Sequence, residues 1–126
     1  MRKSQIIINM RKITLLSFLF LTSMLFAQVT TVPSIVQKGY KGEVTIVFNP
    51  NQGNKGMVNA TKCYAHTGIT YNGTSWQKAS SWRDGKDKYK MTKNAEGNWE
   101  LKITPNIYAY YGVQESTDVT QLCFVF

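Results

Sequence analysis

Apolar and polar residues alternate with a period of two in several short runs of the chain. In residues 43–48, Val44, Ile46 and Phe48 fall on one side, with Glu43 and Thr45 on the other. Successive side chains of a strand point to opposite faces, so the run predicts a strand with one buried face. Residues 98–104 repeat the pattern, with Trp99, Leu101 and Ile103 opposing Glu100 and Lys102. Residues 88–92 place Tyr89 and Met91 opposite Lys88 and Lys90, and the turn-forming residues 94–97 predict a hairpin joining these two strands. Trp99 is then a core residue. In the strand expected over 59–70, Cys63 and Ala65 share one face while Tyr64 and His66 share the other, which places the two large polar rings at the surface.

The remaining chain is read from its punctuation. Residues 28–40 form a lead-in that is extended at its start and loop-like at its end, and residues 49–55 are dense in turn formers. Asn72-Gly73 is a tight-turn signal followed by a short extended segment containing Trp76. A further turn surrounds Asp84-Gly85. Pro105 ends the strand before it, and residues 106–112, with three tyrosines, form either a helical turn or a loop at one end of the core. Residues 119–126 are a final apolar strand. Six or seven short strands without a convincing helix indicate an all-β, immunoglobulin-like antiparallel β-sandwich. The last strand carries no closing turn, so the sandwich is expected to be truncated at its C-terminal end and to belong to a longer protein.

The N-terminus follows a different rule. Arg11 and Lys12 precede a largely apolar run over 13–26, and Ala27 before Gln28 offers a small residue at a cleavage point. Residues 1–27 are expected to be a secretory signal peptide, with translation starting at Met1 or Met10. Residues 28–126 are expected to be the mature β-sandwich, placed in the periplasm, at the cell surface or outside the cell. The apolar run is shorter than the ~20 residues of a membrane-spanning helix. No membrane anchor is expected in the mature chain.

The leader also changes the charge. The whole chain carries 15 basic and 7 acidic residues, a net +8, and four of the basic ones, Arg2, Lys3, Arg11 and Lys12, lie in the leader. The mature 99 residues are left at +4, too mild and too scattered to suggest a nucleic-acid partner. Lys86, Lys88, Lys90 and Lys93 are read as a solvated strand face. Cys63 and Cys123 could pair in an exported protein or remain small buried hydrophobes, and the sequence leaves both open.

For catalysis the inventory is thin. There is one histidine, and none of the serine-elbow, zinc-protease, C-x-x-C or phosphate-loop motifs occurs. Asp84 and Asp87 lie among Arg83, Lys86 and Lys88, neighbours that keep carboxylates ionised and suit a solvated turn rather than a glycosidase acid. No catalytic residue, metal ligand or cofactor is assigned, and an enzyme activity is not expected of this segment.

Binding is the remaining chemistry. Residues 63–82 hold the single histidine, two of the three tryptophans and two tyrosines, separated mainly by glycine, asparagine and hydroxyl residues, with Lys78 the one charged residue. Flat rings in polar surroundings suit a hydroxylated ligand whose apolar ring faces can be covered. His66 and Trp76 lead the candidates, with Trp82 and Tyr64 beside them.

These residues resemble a family. Tyr64-Ala65-His66-Thr67-Gly68, then Thr74-Ser75-Trp76, Lys90-Met91-Thr92, the run from Gly97 to Ile103, and Leu122-Cys123-Phe124-Val125-Phe126 look like the starch-binding modules of carbohydrate-binding families 25 and 26. The run from Lys38 to Val44 and Asn54-Lys55-Gly56-Met57 resemble the secreted N-terminal module that precedes α-amylase-type catalytic domains in Bacteroidetes-like bacteria. The resemblance implies non-catalytic binding of α-glucan, with His66 and Trp76 at the family's sugar-stacking and hydrogen-bonding positions and a catalytic domain downstream. The family's third ligand aromatic lies beyond Phe126. The competing expectation is a structural or protein-interaction spacer of immunoglobulin type on a secreted enzyme.

Overall fold

A computed structural model of the chain describes residues 27–126. The leader expected over 1–27 therefore lies outside the described residues, apart from Ala27. Seven strands follow in order: β1 (Val29–Val32), β2 (Val44–Phe48), β3 (His66–Tyr71), β4 (Thr74–Gln77), β5 (Thr92–Lys93), β6 (Trp99–Ile103) and β7 (Val119–Val125). A short helix, α1 (Ile107–Tyr111), links β6 to β7. One sheet has the order β1-β2-β6-β5 and the other β4-β3-β7, with every pairing antiparallel. The all-β sandwich anticipated from the alternation is the architecture observed.

The alternating strands build the core. Val44, Ile46 and Phe48 on β2 stand opposite Ile103, Leu101 and Trp99 on β6, and all six are buried. Cys63, Ala65 and Ile69 come from the β3 side, and Met91, Ile107, Tyr110 and Tyr111 complete the cluster. Each fully buried aliphatic side chain stabilises the fold by about 1.5–3 kcal/mol relative to its exposed state. Trp99 is a core residue, as its position in the alternation required. Cys63 and Cys123 are free thiols. The Cys63 Sγ sits 3.5 Å from the Met91 Sδ and the Cys123 Sγ 3.5 Å from the Thr70 Oγ1, so each has found a separate neighbour.

Two boundaries differ from expectation. The strand anticipated over 88–92 is replaced at its start by a single 3-10 turn, Asp87–Tyr89, and pairing with β6 begins only at Thr92. The cause is α1. The Lys88 ammonium donates to the Tyr110 carbonyl and lies 4.5 Å from the Tyr110 ring centre, while the Tyr110 hydroxyl donates to the Lys88 carbonyl at 2.7 Å. The turn is thus tied to the helix instead of to the sheet. Similarly, the strand anticipated over 59–70 begins at His66. Ahead of it, Cys63 and Ala65 exchange backbone hydrogen bonds with Met91 and Tyr89 at 2.9 Å, an isolated bridge to the other sheet's approach segment.

The tyrosine-rich segment resolves as a helix because both its ends are satisfied. The Asn106 side chain accepts from the Ala109 N–H at 2.9 Å, and Gly112 takes the left-handed conformation that closes the last turn. Tyr108, Tyr110 and Tyr111 are all buried at that end of the core.

Candidate functional site

The site is assembled by β3, β4 and the segment that follows them. Asn72 and Gly73 both adopt positive φ, 50° and 71°, and turn the chain back from β3 into β4. The tight turn read from this dipeptide is the one observed. Trp76, inside β4, also has positive φ, 60°, as does Lys78 at 54°. For residues with a side chain such backbone costs on the order of 1–3 kcal/mol and persists only where the surroundings enforce it.

What enforces it lies on the outer face of β3. Strict alternation would leave that face open, yet Thr67, Gly68, Ile69 and Thr70 are all buried. Residues 77–80 bulge across it at Gly68, where a Cβ would sit 3.0 Å from the Gln77 carbonyl oxygen and 3.1 Å from the Ala79 Cβ. Only glycine allows this approach without displacement. Ser80 then anchors the bulge, its N–H donating to the Thr67 carbonyl at 3.0 Å and its hydroxyl accepting from the Thr67 N–H at 3.2 Å.

This anchor delivers three rings to one place. The His66 imidazole stacks on the Trp82 indole with centroids 3.7 Å apart and planes 14° from parallel. It stacks on Trp76 as well, at 5.2 Å and 21°. The Ser80 Oγ lies 3.1 Å from the His66 Nδ1. The Ser80 hydroxyl, which accepts from the Thr67 N–H, occupies Nδ1 and leaves the His66 Nε2 without a partner among the described residues. The hydrogen bond orients the ring. Ser80 is buried, so its hydroxyl lacks the access a nucleophile needs.

The structure therefore brings His66, Trp76 and Trp82 together as a nearly parallel stack. Trp82 covers an imidazole face, so the rings most open to solvent are the two indoles, 69% exposed for Trp82 and 41% for Trp76. Tyr64 is also exposed. It joins His66, Trp82, Arg83, Asp84 and Tyr89 around a groove of about 370 Å³ beside the stack. Among the described residues, no three His, Cys, Asp or Glu side chains gather in a way that could hold a metal ion.

Three contributors were missed in the sequence. Gly68 and Ser80 carry the geometry, and the only signal for either was a small residue interrupting an otherwise bulky, ring-rich stretch. The sequence places Asp84 in a solvated turn. Its side chain is only 12% exposed and pairs with the Lys86 ammonium at 3.3 Å, because the turn closed by the Asp84 N–H on the Ser81 carbonyl folds it inward toward the groove.

Compared with known families and with curated proteins, the chain matches no family model and no curated sequence.

Proposed function

We propose that this chain is a non-catalytic module that binds α-glucan, such as starch or a maltooligosaccharide, on an exported amylolytic protein whose catalytic domain lies elsewhere. The observation that carries the proposal is the three-ring stack at the surface, two of whose members, the indoles of Trp82 and Trp76, are largely exposed. Indoles cover the apolar faces of pyranose rings, and the His66 Nε2 can exchange a hydrogen bond with a sugar hydroxyl in either tautomer. At ~25 cal/mol per Å² of apolar area, two such faces contribute a few kcal/mol, which suits a weak site serving to concentrate a polymer near its enzyme. The resemblance of the His66 and Trp76 segments to starch-binding modules points the same way.

Affinity electrophoresis in a gel containing amylopectin tests the proposal. The folded protein should be retarded, and Trp76→Ala or Trp82→Ala should remove the retardation. Unretarded migration of the folded wild-type protein would overturn it and favour a spacer or protein-interaction role.

A further inference from the structure

The groove beside the ring stack is walled by the rings of Tyr64, Trp82 and Tyr89 and bordered by Arg83 and Asp84. Its volume, about 370 Å³, lies within the ~300–1,000 Å³ typical of small-ligand sites. The polar groups are unusually placed for a surface turn. The Asp84 side chain is sheltered, and its one ion-pair partner among the described residues is Lys86, whose side chain is 70% exposed. An ionised carboxylate offers about four acceptor positions, so most of its capacity is unused. Arg83 makes no ion pair among the described residues, which leaves the guanidinium donors free. Arg83 and Gly85 both hold positive φ, 63° and 62°, so the backbone on each side of Asp84 is fixed in the left-handed region.

We infer that this groove is a second sugar subsite, in which the Asp84 carboxylate accepts from two adjacent hydroxyls of one pyranose and Arg83 donates to its oxygens. Tyr64 and Tyr89 supply the apolar walls. The inference rests on the α-glucan proposal and deepens it. Trp82 belongs both to the stack and to the groove wall, so the two places are contiguous and a chain of several sugars can occupy both. A short ligand seated on the stack does not reach Asp84, whereas a longer one extends into the groove and gains hydrogen bonds to a charged acceptor in a partly sheltered site.

Calorimetric titration of the full chain with maltose and with maltoheptaose tests this. Asp84→Ala should weaken maltoheptaose binding by about tenfold more than it weakens maltose binding, the scale expected for hydrogen bonds to a charged group. Asp84→Asn, which keeps the shape of the turn, should show the same selective loss to a smaller degree and carries the test if Asp84→Ala does not fold. If wild-type protein binds both sugars and neither variant discriminates between them, the subsite is overturned while glucan binding stands. If folded wild-type protein binds neither sugar, the glucan proposal itself fails and takes the subsite with it.

Discussion

The imidazole of His66 and the indole of Trp82 lie face to face, 3.7 Å between centroids and 14° from parallel, although Trp82 is among the most exposed large hydrophobic side chains of the described residues. A large apolar ring left in water and packed on one flat partner is placed for contact with something else. Because the chain contains a single histidine, the cover that Trp82 gives can be measured directly. Trp82→Ala should raise the rate at which diethylpyrocarbonate modifies His66 several-fold. An unchanged rate would mean that the indole does not shield the imidazole.

Gly68 is the hinge of the site's geometry. Gly68→Ala places a methyl group 3.0 Å from the Gln77 carbonyl and 3.1 Å from the Ala79 Cβ, so the bulge must move. The expected cost is about 1–3 kcal/mol in urea unfolding, the range for overpacking. Retardation by amylopectin should fall as well, since the same bulge positions Trp76 and Trp82. A variant of wild-type stability would show that the close approach is not maintained.

A buried chain of hydroxyls ties β3 to α1 and β7. The Tyr111 hydroxyl lies 2.6 Å from the Thr67 Oγ1, which donates to the Cys123 carbonyl at 2.9 Å. Thr67→Val should cost about 1–3 kcal/mol, because it leaves the Tyr111 hydroxyl buried without its partner. Tyr111→Phe removes that orphaned group, so the double variant should be more stable than the sum of the single losses predicts, by on the order of 0.5 kcal/mol or more. Strict additivity would contradict the shared bond.

Alkaline pH should weaken the fold through its buried acids. Burial pushes the Cys63 thiol from an ordinary 9.0 up to about 11. Between those values the unfolded thiol has lost its proton and the folded one keeps it, so its contribution is present below pH 9 and is lost as pH rises toward 11. Burial raises the Tyr110 and Tyr111 hydroxyls in the same sense and extends the loss to higher pH. Urea midpoints should fall from pH 9 to 10.5, and Cys63→Ala should fall less steeply. Equal slopes for the two proteins would remove Cys63 from this account.

The sandwich was legible because β2 and β6 obey strict alternation and Asn72-Gly73 dictates its own turn. The faces of Cys63, Tyr64, Ala65 and His66 were legible for the same reason. Lys88–Tyr89 was not, since its conformation is decided by hydrogen bonds to Tyr110, a partner 22 residues away. Nor could periodicity show that His66 and Trp82 meet. Their contact depends on a backbone bulge that only Gly68 permits and on a hydroxyl, Ser80, whose role appears once the chain has folded back on Thr67. The inward turn of Asp84 likewise depends on a backbone hydrogen bond to the Ser81 carbonyl that its charged neighbours in sequence do not reveal.

The chain's three tryptophans provide an internal control for the central claim, since Trp76 and Trp82 are exposed in the stack while Trp99 is 4% exposed in the core. The decisive measurement is the set of three indole Nε1–H resonances in a proton–nitrogen correlation spectrum during titration with maltoheptaose. The Trp76 and Trp82 signals should move together along a saturating curve while the Trp99 signal stays fixed. Indole signals from Trp76 and Trp82 that do not respond to the sugar would contradict glucan binding at the stack.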